Sequence, residues 1–178
     1  MNTEIQKILE LNHIQGDILA RALHQDIREL FLARICAYMK ESPEQYLEIR
    51  KSYYRTDDDL QTVRNIVRRV GGGELPEEDL AWLNQCVKAH FHKKPRRRRI
   101  PDAERTALWQ AQGGLCAVCR RPIALSGLHV DHIVPWDYVG DELADNLQAL
   151  CPACNREKSN RVSRALHHLF LTREGAFS

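Results

Sequence analysis

Two C-x-x-C pairs, "CAVC" at 116–119 and "CPAC" at 151–154, stand 31 residues apart in this chain of 178 residues. Each tight turn brings two sulfurs together, and Cys116, Cys119, Cys151 and Cys154 are the donor set that a tetrahedral Zn2+ takes from two such knuckles. A zinc held by four thiolates has no open position, so it serves as scaffold and cannot activate water. A redox role is disfavoured, because no βαβ pattern surrounds either pair. Between the knuckles lies "HVDHIVPW" at 129–136, a short apolar strand interrupted by Asp131 and His132. Burying an unpaired carboxylate in such a strand costs several kcal/mol, so this pair has partners to meet or chemistry to perform. Aspartate is a hard oxygen ligand and histidine titrates near neutral pH, which suits the activation of water beside a divalent cation.

In order along the chain, C-x-x-C, "HVDHIVP", "DNLQALC" and "CNREK" resemble the zinc-containing branch of the HNH endonuclease family, the ββα-metal nucleases, over about residues 102–162. The resemblance implies two antiparallel strands and a helix gripping one divalent ion, Mg2+ or Mn2+, in addition to the structural Zn2+. Carried over by position, it implies that His132 is the general base on a water and that Asp131 is a carboxylate ligand of the catalytic metal. It further implies that Asn146 bridges the inter-strand loop and helps hold the base, and that Asn155 is a second metal ligand, which makes this an H-N-N variant. Lys158, one helical turn on, matches a frequent basic residue that approaches the phosphate. His129 shares a strand face with Asp131 and is a candidate outer contact. Neighbours on a regular strand point to opposite faces, so for Asp131 and His132 to serve one site the pairing must end about there, with Pro135 enforcing the break.

The elements that must position these residues are legible from periodicity and caps. The expected fold class is α+β: an N-terminal all-α bundle over 1–92, a basic linker or arm over 93–101, and a small ββα-metal domain with its zinc over 102–178. In the bundle, "DILARALHQDIRELFLARICAYMK" carries apolar residues at steps of three and four and predicts the longest helix. "SPEQYLEIRKSYY" opens with Ser42 as N-cap, Pro43 at the first helical position and Gln45 at the capping-box position. "TDDDLQTVRNIVRRVGGG" predicts a helix opening at Thr56 and stopped by glycines, "LPEEDLAWLNQCVKAHF" repeats the pattern with Pro76, and a short helix follows over about 102–112. His13, His24, His90 and His92 are scattered and read as surface or packing residues. Cys36 and Cys86 fall in apolar helical patterns and read as small buried hydrophobes.

Charge is uneven: residues 1–92 hold 12 Lys and Arg against 15 Asp and Glu, and residues 93–178 hold 14 against 9. Much of the excess is "KKPRRRR", in which Lys93, Lys94, Arg96, Arg97, Arg98 and Arg99 are a solvated linker or a phosphate-binding arm. With no apolar run long enough to span a membrane and no secretory leader pattern, the expected compartment is the cytoplasm. The expected partner is DNA, with RNA left open, and the helical bundle is a recognition, docking or homodimerisation element. The function expected from the resemblance is phosphodiester hydrolysis, in a setting such as phage defence or restriction. Two other readings remain open at this level: a zinc-stabilised nucleic-acid-binding module without catalysis, and a protein-interaction adaptor built on the bundle.

Overall fold

The computed structural model describes residues 3–11 and 15–158, so the expected domain's residues beyond Lys158 lie outside the described part. The described elements run α1 (Thr3–Leu11), α2 (Gly16–Met39), α3 (Pro43–Arg55), α4 (Asp59–Arg69), α5 (Glu77–His92) and α6 (Asp102–Ala111), then a 3-10 turn at Leu125–Gly127. They continue with β1 (His129–His132), α7 (Trp136–Val139), β2 (Leu147–Leu150) and α8 (Pro152–Lys158). The α+β class holds, with a helical N-terminal part and a two-stranded antiparallel sheet between the knuckles. Among the described residues no helix is long and apolar enough to cross a membrane.

The chain forms two compact units that do not follow chain order. Among the described residues, Leu30–Arg99 and His132–Leu147 make one, while Ile100–Asp131, Gln148–Lys158 and those before Leu30 make the other.

In the helical unit, Leu32, Ile35 and Met39 of α2 meet Tyr53 of α3, Val63 and Val67 of α4, and Leu83, Val87 and Phe91 of α5. Each such side chain contributes about 1.5–3 kcal/mol on burial. Val134 and Val139, from the loop between the two strands, are buried in this same core. Cys36 and Cys86 are buried in it as expected, and burial pushes the Cys36 thiol up to about 12.

Local signals placed the helix ends with two corrections. Ser42 caps α3 by accepting from the Gln45 backbone N–H at 3.1 Å, but the Gln45 side chain donates to the Tyr38 carbonyl, so the reciprocal half of the capping box is missing. α4 opens at Asp58, whose carboxylate accepts from the Gln61 N–H at 2.9 Å, and Thr56 instead ends α3. An aspartate caps as well as a threonine and adds a negative charge at the positive end of the helix. Pro76 stands one residue before α5 without a side-chain cap, and the first turn carries Glu77, Glu78 and Asp79. α4 stops at Gly71, whose φ of +80° lets the Gly72 N–H return to the Val67 carbonyl at 2.8 Å.

The second unit is built around the knuckles. Its small core joins Ile123, Leu128, Ala149 and Leu150 to Leu108 and Trp109 of α6 and Val130 of β1. Trp109 Nε1 donates to the Ile123 carbonyl at 2.7 Å. Gln112, just past α6, uses its side-chain amide as a strand would, accepting from Ala149 N at 2.8 Å and donating to Ala149 O at 3.1 Å. α6 is thereby tied to β2.

Candidate functional site

The four cysteines predicted as zinc ligands are brought together. The Sγ atoms of Cys116, Cys119, Cys151 and Cys154 all lie within 4.8 Å of one another, and none is in a disulfide. Zn–S bonds of about 2.3 Å in a tetrahedron place sulfurs about 3.8 Å apart, and Cys119 and Cys151 are at 3.9 Å. Backbone N–H groups already point at sulfur, Cys151 N to Cys116 Sγ and Cys154 N to Cys151 Sγ, both at 3.4 Å. Around Cys119, burial raises the thiol pKa, yet the hydrogen bonds of Arg121 and the neighbouring cysteines outweigh it and bring it down to about 7. The first knuckle closes through Arg120 N to Cys116 O at 3.0 Å, with Arg120 at φ 56°. The donor set fits zinc in number, spacing and softness.

In the same unit, Asp131 and His129 share the face of β1 opposite Val130, which faces the core. Asp131 Oδ2 accepts from Gln148 Nε2 at 3.2 Å across the hairpin and is ion-paired with the Lys158 ammonium of α8. Lys158, expected from its motif position to contact phosphate, has a side chain only 3% exposed, against 23% for Asp131. Its charge is engaged on the carboxylate. Asn155 lies on α8 with Nδ2 3.3 Å from His129 Nδ1, so His129 has a partner that its position on the strand does not foretell. Carboxylate and carboxamide oxygens are hard donors of the kind that Mg2+ takes.

In the helical unit, β1 ends at His132, and Asn146 closes it. Asn146 is buried; its Oδ1 accepts from Val134 N at 2.7 Å and its Nδ2 donates to Val134 O at 3.0 Å. The amide thus acts as a ladder partner to the Val134 backbone where the strand has bent. His132 is held by a residue that no motif points to: its Nε2 is 3.0 Å from Asp141 Oδ1. The other carboxylate oxygen accepts from Trp136 Nε1 and from the Arg98 backbone N–H, each at 3.0 Å. Burial raises the Asp141 pKa, but the bonds from Trp136, Arg98 and His132 outweigh it and hold the carboxyl below its usual range. A depressed carboxylate pKa contributes stability above the unfolded value, and that contribution is lost as pH falls through the folded one.

The basic run is docked against the same loop. Lys93 Nζ donates to the Asp137 carbonyl at 2.9 Å and sits 4.3 Å from the Trp136 ring centroid, and the Arg97 guanidinium lies 5.2 Å from that ring. Lys94 pairs with Glu142 at 3.8 Å, while Arg96 and Arg99 are exposed. The loop is also pinned from beneath by His90, a buried histidine whose Nδ1 bonds the Tyr138 carbonyl and whose pKa burial lowers. Nothing in the spacing of Asp141 marks it; an acidic residue nine positions after the motif histidine is the only sequence trace.

In a comparison with protein families, residues 116–161 match HNH endonuclease. That span contains both knuckles, both strands and α8, and its last three residues lie outside the described part. No curated protein and no solved structure matches the chain. Residues 116–161 of this chain are an HNH endonuclease domain, carrying a four-cysteine cluster consistent with the family's zinc-binding branch.

Proposed function

We propose that the protein is a metal-dependent endonuclease that hydrolyses phosphodiester bonds in DNA. His132 takes the proton of the attacking water as its oxygen bonds to phosphorus, the bond to the leaving sugar oxygen breaks, and that oxygen takes a proton from solvent. Asp131 and Asn155 hold one Mg2+ or Mn2+ ion, which when bound supplies positive charge to the phosphate and the leaving group. The observation that carries this reading is the order Asp131–His132 at the end of β1 within a zinc-knuckle frame, in a segment that matches the HNH endonuclease family. By analogy with small members of that family, the setting is phage defence or restriction.

One observation favours a second reading, a zinc-stabilised binding module without catalysis: the Lys158–Asp131 ion pair satisfies the carboxylate without any metal. Incubation with supercoiled plasmid separates the two. Nicked or linear product with Mg2+ and none with EDTA is expected, and intact plasmid under both conditions would leave only binding.

The arm contributes phosphate contacts through Arg96 and Arg99, because Lys93, Lys94, Arg97 and Arg98 already have partners on the loop. Neutralising Arg96 and Arg99 is expected to flatten the slope of log K against log salt by about 1.8, at roughly 0.9 per phosphate. A fluorescence-anisotropy salt titration with duplex DNA measures it, and an unaltered slope would return both residues to plain linker.

A further inference from the structure

The loop between the strands carries one carboxylate on which contacts from distant parts of the sequence converge. Asp141 is 11% exposed and meets His132, Trp136 and Arg98, the last 43 residues earlier in the chain. The basic run reaches it closely because residue 140 is glycine at φ +64°: a Cβ there would lie 2.9 Å from Lys93 Cγ and 3.4 Å from Lys93 Cα. Lys93 and Arg97 then bracket Trp136, and Trp136 Nε1 and the Arg98 N–H fix one oxygen of Asp141. The other oxygen faces the His132 ring at 3.0 Å, with Arg98 Nε 4.0 Å from it.

We infer that Asp141 is the positioning residue of His132, held in place by the basic run. A carboxylate accepts only, so its bond to Nε2 keeps the ring proton there, and neutral imidazole then carries its lone pair on Nδ1. The bond also fixes the plane of the ring, so that Nδ1 has one direction in which to receive a proton from water. The basic run therefore has a task apart from phosphate contact: it braces the carboxylate that orients the base. This inference rests on the reading of His132 as general base.

The test compares wild type, Asp141→Asn, Asp141→Ala and His132→Ala as full-length, zinc-loaded proteins. Plasmid cleavage with Mg2+ gives kcat and KM, and 15N-histidine NMR at alkaline pH gives the His132 tautomer. Both Asp141 variants are expected to lower kcat by on the order of 10²-fold, part of what a positioned base contributes, with KM changed less than about twofold. The Nε2–H signal of His132 should give way to a tautomer mixture. If Asp141→Asn loses zinc or its cooperative melt, Trp136→Phe is read in its place; it removes one donor to Asp141 and keeps the ring under Lys93 and Arg97. It should shift kcat and tautomer in the same direction, by several-fold in rate. Wild-type kcat and an undisturbed Nε2–H signal in the Asp141 variants, with His132→Ala inactive, would overturn the inference and leave the base assignment standing. Wild-type cleavage by His132→Ala would overturn both.

Discussion

His132→Ala is expected to slow Mg2+-dependent cleavage by about 10²–10⁴-fold, the range a positioned general base contributes, while the protein stays folded. Both halves of that expectation follow from the local geometry. The His132 side chain is 12% exposed, and its partner Asp141 keeps Trp136 Nε1 and the Arg98 N–H when the ring is gone. The loss in stability includes that of the hydrogen bond to Asp141, about 1 kcal/mol, together with the packing of the ring. Nor does the substitution touch the bonds by which Asn146 closes the strand at Val134. Plasmid nicking rates beside a thermal melt check both parts. A variant that cleaves as fast as wild type removes His132 from the mechanism, and one that no longer melts cooperatively contradicts the structural half.

Cys151→Ser is expected to lose the zinc and with it the fold of the knuckle unit. Binding of a structural Zn2+ is worth roughly 10–16 kcal/mol in small domains, against a net stability of about 5–15 kcal/mol for a whole domain. The apolar core around the knuckles is small, with Ile123, Leu128, Ala149 and Leu150 its main buried members besides the cysteines. It cannot offset the loss. Cys151 also receives the Cys154 N–H and donates its own N–H to Cys116 Sγ, so one substitution disturbs both knuckles. α8 begins at Pro152, directly after it, and carries Asn155 and Lys158. The core formed by α2 to α5 contains no zinc ligand, so most of the helical circular-dichroism signal should remain while zinc by elemental analysis falls to zero. A zinc-free variant with an unchanged melting curve would contradict the scaffold role.

The features legible in the amino-acid sequence are local ones. The two C-x-x-C turns, the break after His132, the cap at Ser42 and the glycine stop after α4 are each specified within a few residues, by bond geometry or by one short-range hydrogen bond. Periodicity likewise placed α2, because a core-facing stripe repeats every turn. The misplacement of the α4 cap, Thr56 for Asp58, shows the limit of such signals where several good capping residues stand side by side.

The chemistry-bearing residues were named by type, by spacing and by resemblance to a family, but what surrounds them was decided by the tertiary fold. Lys158 reads in the sequence as a basic motif residue that approaches phosphate; only the packing of α8 against β1 turns it into a buried counter-charge for Asp131. The "KKPRRRR" run reads as a solvated linker or a phosphate-binding arm because six like charges repel and cannot all be buried. Its ties to Trp136, Asp137, Asp141 and Glu142 exist because the loop returns 39 to 48 residues later and presents a ring face, a carbonyl and two carboxylates. Asp141 itself has no periodic or spacing signature, since a hydrogen bond between side chains of an irregular loop obeys no repeat. By itself the sequence determined the ligand types, the motif histidine and the ends of the elements that carry them. Tertiary structure alone decided which charges are engaged and what orients the His132 ring, because those depend on contacts between segments whose separation along the chain leaves no pattern in it.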